Sequence, residues 1–354
     1  MSDSAVKRAV GLIGATAGVL AAGTAAGVLT QRKGLGRRRT AAAKVPLGSV
    51  RGIPRTVITG DGLSLYAEVD ESPTAAPGRA TVVFVHGYAL NLDCWHFQRL
   101  ALRGEHRLVL YDQRSHGRSP RSQPEHCTID ALGEDLGQVV EQLVPEGPVV
   151  LVGHSMGGMT ILALAQLHPE WFGRRVVGVV LVSTSADGMG DVTFGLPRGM
   201  ARVLNDVSPS MLLALARVPK LVERGRRMGS GYAFAITQRL AFGGRVPREY
   251  VHFTDQMLSA TPVDVLACFY PEFARLDKAQ VLLAEDWPPT TIICGSRDLF
   301  TPVRLSRRMA EAVPSSRLVE IADAGHLLML ERSEQVNEEI SALLRTVELP
   351  SSSP

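Results

Sequence analysis

Four uncharged apolar positions, Val149-Val150-Leu151-Val152, run into Gly153, and from Met156 onward Met159, Ile161, Leu162, Leu164, Ala165 and Leu167 continue at helical spacing. The first run has the unbroken apolar character of a strand buried on both faces of a parallel sheet, and the second that of a helix, so the chain turns from strand to helix within about four residues. Similar strand signals fall at Thr81–Val85, Leu108–Tyr111, Val176–Val182, Thr291–Cys294 and Ser316–Ile321. Ahead of them Arg55–Thr59 and Leu63–Val69 alternate apolar and polar positions about Gly60-Asp61-Gly62, a hairpin turn signal. Asn91, Asp93, Trp95 and His96 open a short helix with Asp93 as its expected cap, and Ile129–Leu143 carries one apolar stripe at helical period. Helices are also predicted from Pro302 to Ala312 and over Glu331–Leu344. Together these elements predict an α/β protein.

The alternation stops between about Ala186 and Trp287. Helical patterns such as Met211–Ala216 and Tyr232–Ala241 are broken there by Gly188, Pro197, Pro209, Pro219 and Gly243-Gly244, with no strand signal among them. With 354 residues, 45% hydrophobic and 21% charged, the chain can bury one large core or two modest ones. The four cysteines, Cys94, Cys127, Cys268 and Cys294, lack metal-binding spacing and read as free thiols.

Residues 9–30 carry no charge, long enough to cross a bilayer. The pairs Gly14 with Gly18 and Gly23 with Gly27 suit close association of two such helices in a homodimer, or are small filler residues. Arg32, Lys33, Arg37, Arg38, Arg39, Lys44, Arg51 and Arg55 follow with no acid among them, a bias that retains this arm on the cytoplasmic side of a cell membrane and makes anionic lipid its partner. A cleaved signal peptide, with Lys7-Arg8 as its basic start and Thr24-Ala25-Ala26 as its cleavage site, is the alternative and would export the protein. Positions 1–55 hold ten of the 38 Lys and Arg but one of the 35 Asp and Glu, so the remainder is mildly acidic, unlike a nucleic-acid enzyme.

The chemistry gathers at Gly153-His154-Ser155-Met156-Gly157-Gly158. Only small neighbours two places either side of Ser155 permit so tight a strand-to-helix turn, which lifts the hydroxyl above the sheet and aims the Met156 N–H at the same space from a helix N-terminus. His86-Gly87-Tyr88 ends another strand; a structural hydrogen bond explains His86 better than proton transfer, since one general base suffices. Asp298 follows the strand at Thr291–Cys294, and His326 follows the strand at Ser316–Ile321. Taken alone, Asp298 could cap a helix and His326 could be a core histidine. Asp286 and Asp323 are reserve acids. No P-loop or metal cluster stands out, so neither cofactor nor metal is expected.

Gly-His-Ser-Met-Gly-Gly is similar to the elbow of serine esterases and monoacylglycerol-lipase-like enzymes, and the chain resembles the α/β-hydrolase superfamily over about residues 55–347. Asp112-Gln113-Arg114-Ser115-His116-Gly117-Arg118-Ser119 resembles that family's Asp-x-Arg-Gly-x-Gly-x-Ser loop, with Ser115 in place of the first Gly and a slightly different turn expected. Asp112 and Arg114 read as a structural pair. The resemblance implies a mostly parallel eight-stranded sheet flanked by helices, with a helical cap inserted after strand 6. It divides the chain into an anchor and basic arm (1–54), a hydrolase core (55–185 and 288–347), the cap (186–287) and a tail (348–354). The order Ser155, Asp298, His326 is the superfamily's nucleophile, acid and base, and the resemblance gives the oxyanion donors as the N–H groups of Tyr88 and Met156. It implies hydrolysis of carboxylic esters through an acyl-enzyme on Ser155, and the apolar anchor and the Met- and Leu-containing cap make lipophilic esters the first expectation. Acyl transfer, perhydrolysis and carbon–carbon bond hydrolysis use similar sites, and a membrane-anchored binding module is the non-enzymatic alternative.

Overall fold

Eight strands, β1 (Ile53–Ile58), β2 (Ser64–Asp70), β3 (Thr81–Val85), β4 (Leu108–Tyr111), β5 (Val149–His154), β6 (Val176–Val182), β7 (Thr290–Gly295) and β8 (Arg317–Ile321), form one sheet in the order β1-β2-β4-β3-β5-β6-β7-β8. The computed structural model describes residues 45–72, 78–193 and 230–348. The apolar segment 9–30, the basic arm as far as Lys44, the expected helix at Met211–Ala216 and the last six residues lie outside them. Among the described residues no helix is long and apolar enough to cross a membrane.

β2 pairs antiparallel with β1 and with β4, and every other neighbour is parallel. All six residues of β5 are buried between β3 and β6, in the middle of the sheet, which is why that run is apolar on both faces. Alternate side chains of β3 serve two cores: Val82 and Phe84 pack with Trp95, Leu330 and Ile340, and Val83 and Val85 with Leu136, Val140 and Leu162. Helices α1 (His96–Leu102), α2 (Ile129–Leu143), α3 (Met156–Leu167), α7 (Val303–Ala312), α8 (Leu328–Glu331) and α9 (Ser333–Glu348) supply the covering layers. α2 starts where the Thr128 hydroxyl accepts the Ala131 N–H, leaving one fewer orphan donor in its first turn.

The described part of the insertion between β6 and β7 contains helices α4 (Ser230–Ala241), α5 (Arg248–Ala260) and α6 (Val263–Arg275) and no strand. Val265 and Phe269 of α6 pack with Leu132 of α2 and with Met156, Met159 and Ala163 of α3, seating this cap on the helix that follows Ser155. At the other edge, β1 begins before the boundary at 55. Val50 is already buried, and the Gly52 N–H is held by Glu68 Oε2 at 2.9 Å. Glu68 and Asp70 in turn receive Arg99, with N–O distances of 2.7 and 2.6 Å, in a buried cluster.

Two local expectations are corrected. Asn91, not Asp93, caps the short helix Leu92–Trp95, its side-chain oxygen accepting the Asp93 N–H at 3.0 Å, while the Asp93 carboxylate binds Arg51. Asp112 and Arg114 do not pair with each other. Asp112 accepts the N–H groups of Leu92 and Arg118, both at 2.7 Å, and Arg114 forks onto Asp135, which is as buried as itself. Ser115 has a φ of 65°, the left-handed conformation that glycine adopts most freely, and its hydroxyl accepts the Ser122 N–H.

Candidate active site

β5 delivers the chain to Ser155 at the carboxyl end of the sheet, and α3 begins at the next residue. Ser155 has φ 51° and ψ −119°, a conformation that costs of order 1–3 kcal/mol and persists only where its surroundings impose it. They do so through the backbone. The Ser155 N–H donates to Val182 O at 3.0 Å, and the Thr184 hydroxyl donates to Ser155 O at 2.6 Å. Gly157 permits the crossing, since a Cβ there would sit 2.1 Å from Val85 O at the end of β3. As the first residue of α3, Met156 carries an N–H without an intrahelical partner, on the positive end of that helix.

Asp298 and His326 meet in the same region. A Cβ on Gly295 would lie 2.3 Å from Ala324 O, so the loops after β7 and β8 touch backbone to backbone. His326 Nδ1 and Asp298 Oδ2 are 2.8 Å apart, both residues buried. The remaining capacity of Asp298 is filled: Oδ1 accepts the N–H groups of Phe300 and Thr301 at 2.8 and 2.9 Å, and Oδ2 also accepts the Thr301 hydroxyl at 2.7 Å. A carboxylate so surrounded by donors can only accept from the imidazole, so Nδ1 carries the proton and Nε2 the lone pair. The reserve acids stand elsewhere. Asp323 pairs with Arg297 on the surface, and Asp286 packs against Gly173.

Ser155 and His326 line one cavity of about 470 Å³, with Tyr88 on the sheet side and Ile236, Leu258 and Phe273 among its cap residues. Its wall is overwhelmingly apolar, in the size range of small-molecule sites. Tyr88 joins the two sides: its hydroxyl donates to Leu266 O in α6 and its ring meets Phe273 edge-on at 5.0 Å, and burial pushes its phenol well above the usual range. His86 is not part of this chemistry. Its Nε2 accepts the Gln113 N–H at 2.9 Å, its Nδ1 faces Gly87 O at 2.8 Å, and burial holds its pKa down at about 3, so it is neutral and fixed.

Three contributors have no signature in the sequence pattern. Thr184 pins the turn from the end of β6. His154, fully buried, directs Nε2 at His326 O at 3.0 Å, and its ring lies 4.7 Å from that of His326. Glu331 in α8 accepts the N–H groups of Gly243, Gly244 and Gly325 at 3.0, 3.1 and 2.8 Å, tying the His326 loop to the end of α4. A glutamate just ahead of a helix reads in the sequence as an ordinary first-turn acid; only its partners, far apart along the chain, give it this role. Among the described residues no group of three or more metal-ligating side chains assembles.

The resemblance extends to known proteins. The chain is 27% identical, over 76% of its length, to the dihydrolipoyllysine-residue acetyltransferase component of the acetoin cleaving system of Pseudomonas putida, and spans 64% of that longer protein. It is 26% identical to a proposed carbamate hydrolase, RutD, of Caulobacter sp. (strain K31), over 79% of this chain and 94% of that one. A thermophilic esterase from Thermogutta terrifontis superposes with a TM-score of 0.64 at 27% identity, covering 83% of this chain and 98% of the esterase. The sequence profile described as alpha/beta hydrolase fold matches residues 80–333, and with the eight-stranded sheet, the turn at Ser155 and the covering helices in place the chain belongs to the α/β-hydrolase family.

Proposed function

We propose that this protein is a serine hydrolase of carboxylic esters whose acyl part is apolar. The observation that carries the reading is the buried Asp298–His326 pair, 2.8 Å apart, opening on the apolar cavity that also holds Ser155. In this reading His326 Nε2 takes the Ser155 proton as the hydroxyl attacks the ester carbonyl, and Asp298 fixes the tautomer and stabilises the imidazolium. The N–H groups of Met156 and Tyr88 stabilise the oxyanion, worth about 2.7–4 kcal/mol per donor in such sites. The alcohol leaves with the proton from His326, and water releases the acid from Ser155 by the same steps in reverse. The esterase of Thermogutta terrifontis, similar over most of its length, supports the bond type. The apolar wall supports the acyl preference.

Ser155→Ala is expected to abolish turnover of p-nitrophenyl esters and labelling by a fluorophosphonate while leaving the thermal midpoint near that of the parent. Activity or labelling that survives the substitution overturns the assignment. A membrane span at residues 9–30, with the basic arm after it lying on anionic lipid, belongs to the same proposal. Full-length protein is expected to stay with membranes through an alkaline carbonate wash, and release by that wash overturns it.

A further inference from the structure

Two of the four cysteines face each other across the junction of cap and core. Cys127 ends the turn Pro124–His126, directly before Thr128 caps α2, and Cys268 lies in α6 of the cap. Both belong to the apolar seam that seats α6 on α2 and α3. Their sulfurs converge on one short piece of backbone: Cys268 Sγ is 3.3 Å from Pro124 O, and Cys127 Sγ is 3.8 Å from the O of the adjacent residue, Gln123. Cys127 is buried, and Cys268 is partly open to solvent. Cys94 and Cys294 are buried elsewhere, in the turn Leu92–Trp95 and in β7.

The position matters because α6 is a wall of the cavity. Leu266, Tyr270, Pro271, Phe273 and Ala274 line it, whereas neither Cys127 nor Cys268 does. A bond between α6 and the turn ahead of α2 would fix that wall without touching the cavity's surface. We propose that Cys127 and Cys268 form a dithiol site that a hydroperoxide closes to a disulfide, stapling the cap to the core.

The chemistry balances with the hydroperoxide as the sole oxidant. The more accessible Cys268 thiolate attacks the peroxide: an S–O bond forms, the O–O bond breaks and the alcohol leaves, giving a sulfenic acid. Cys127 then attacks that sulfur, the S–S bond forms, the S–O bond breaks and water leaves. The two thiols lose two electrons and two protons, and the hydroperoxide is reduced to an alcohol and water. Burial and the neighbouring Cys127 push the Cys268 thiol up to about 12, so its thiolate is scarce at neutral pH. Closure is therefore slow near pH 7 and quickens about tenfold for each unit that pH rises toward that value. A site of this kind records sustained oxidation, not a brief pulse.

The effect on catalysis rests on the ester-hydrolase reading; the cross-link itself does not. The test treats full-length protein with cumene hydroperoxide at mildly alkaline pH, digests it without reductant and identifies linked peptides by mass spectrometry. A Cys127–Cys268 peptide that disappears on reduction is expected, together with slower hydrogen exchange of the α6 amides. Hydrolysis of p-nitrophenyl decanoate should fall about threefold or more while that of the acetate stays within twofold, and reductant should restore both. Cys268→Ser and Cys127→Ser should each lose the linked peptide and the oxidative response while keeping the activity of the reduced parent. A Cys94→Ser, Cys294→Ser double variant should keep both. Absence of the linked peptide overturns the dithiol site. Linkage without slower exchange of α6, or an activity loss that persists in Cys268→Ser, overturns the staple. A reduced protein that turns over no ester defeats the hydrolase reading alone, since linkage and exchange are read without substrate.

Discussion

On the sheet side of the cavity Asp298 accepts from two backbone N–H groups, a hydroxyl and an imidazole, and Ser155 is held in a strained turn by Val182 and Thr184. On the cap side the described wall offers mostly Ile236, Leu240, Leu258, Leu266 and Phe273, side chains that pack without direction. Hydrogen bonds fail over tenths of an ångström, whereas apolar contact tolerates a change of shape at fixed volume. One region is thus suited to fixing atoms for a reaction, and the other to receiving groups of varying length. The difference is sharpest where the two meet: Ala241 O accepts the N–H groups of His326 and Leu327, and Glu331 binds Gly243 and Gly244, so the end of α4 is fixed by the same bonds that hold His326.

The largest effect is expected from Asp298→Asn. Its Oδ1 position faces two backbone donors, so the amide oxygen must go there and the NH2 must face His326 Nδ1. Nδ1 would then accept, Nε2 would carry the proton, and the base would be lost with the fold intact. Steady-state ester hydrolysis should fall in kcat by on the order of 10⁴, the loss such a tautomer reversal produces in a serine triad. A loss of less than about tenfold would separate Asp298 from the reaction.

Glu331→Ala attacks the junction. Three backbone donors lose a buried acceptor, at about 1–3 kcal/mol for each group left without water. The thermal midpoint should drop by several degrees and kcat by about tenfold, with KM for a short ester nearly unchanged. A variant that lost stability but kept kcat would show that the cap and the His326 loop are held together independently.

How far the sequence foretells this molecule follows the same division. β3, β4, β6 and α2 occupy the bounds that hydrophobic periodicity predicts, and the turn at Ser155 was legible because strand, glycines and helix lie within ten residues. What escaped was polar and long-range. The binding of Arg99 to Glu68 and Asp70, of Arg114 to Asp135, and of Glu331 to Gly243 and Gly244 joins residues distant in the chain, and an isolated charge in a sequence does not name its partner. The expectation of Asp93 as the cap failed for a related reason: Asp93 is committed to Arg51, and Asn91 takes the cap.

Buried histidines on the sheet side should make stability depend on pH. His86 and His116 are held down at about 3 and about 4, chiefly by burial, against 6.5 for an exposed imidazole. As pH falls below 6.5 the unfolded chain takes up a proton at each site that the folded chain refuses, so stability is lost on acidification and regained toward neutrality. At pH 5 each site costs about 2 kcal/mol. Denaturant midpoints should fall steadily from pH 7 to pH 5, and His116→Gln should flatten that slope by about one proton. An unchanged slope would locate the titrating group elsewhere.

The smallest effect, and the one that most directly sets the two regions apart, belongs to Ile236→Ala. Ile236 is 49% exposed on α4 and lines the cavity, so its removal leaves no buried void and the thermal midpoint should barely move. The hydrogen bonds of Asp298 and His326 do not involve it. Losing its outer carbons should therefore leave kcat/KM for p-nitrophenyl acetate within twofold and lower it for the decanoate by about three- to tenfold, less than the roughly 10–200-fold of one methylene in an enclosed apolar pocket because half of this side chain faces solvent. Equal losses on both esters would mean that the cap shapes the reaction as much as the choice of acyl group, and the division between a fixed sheet edge and a permissive cap would no longer hold.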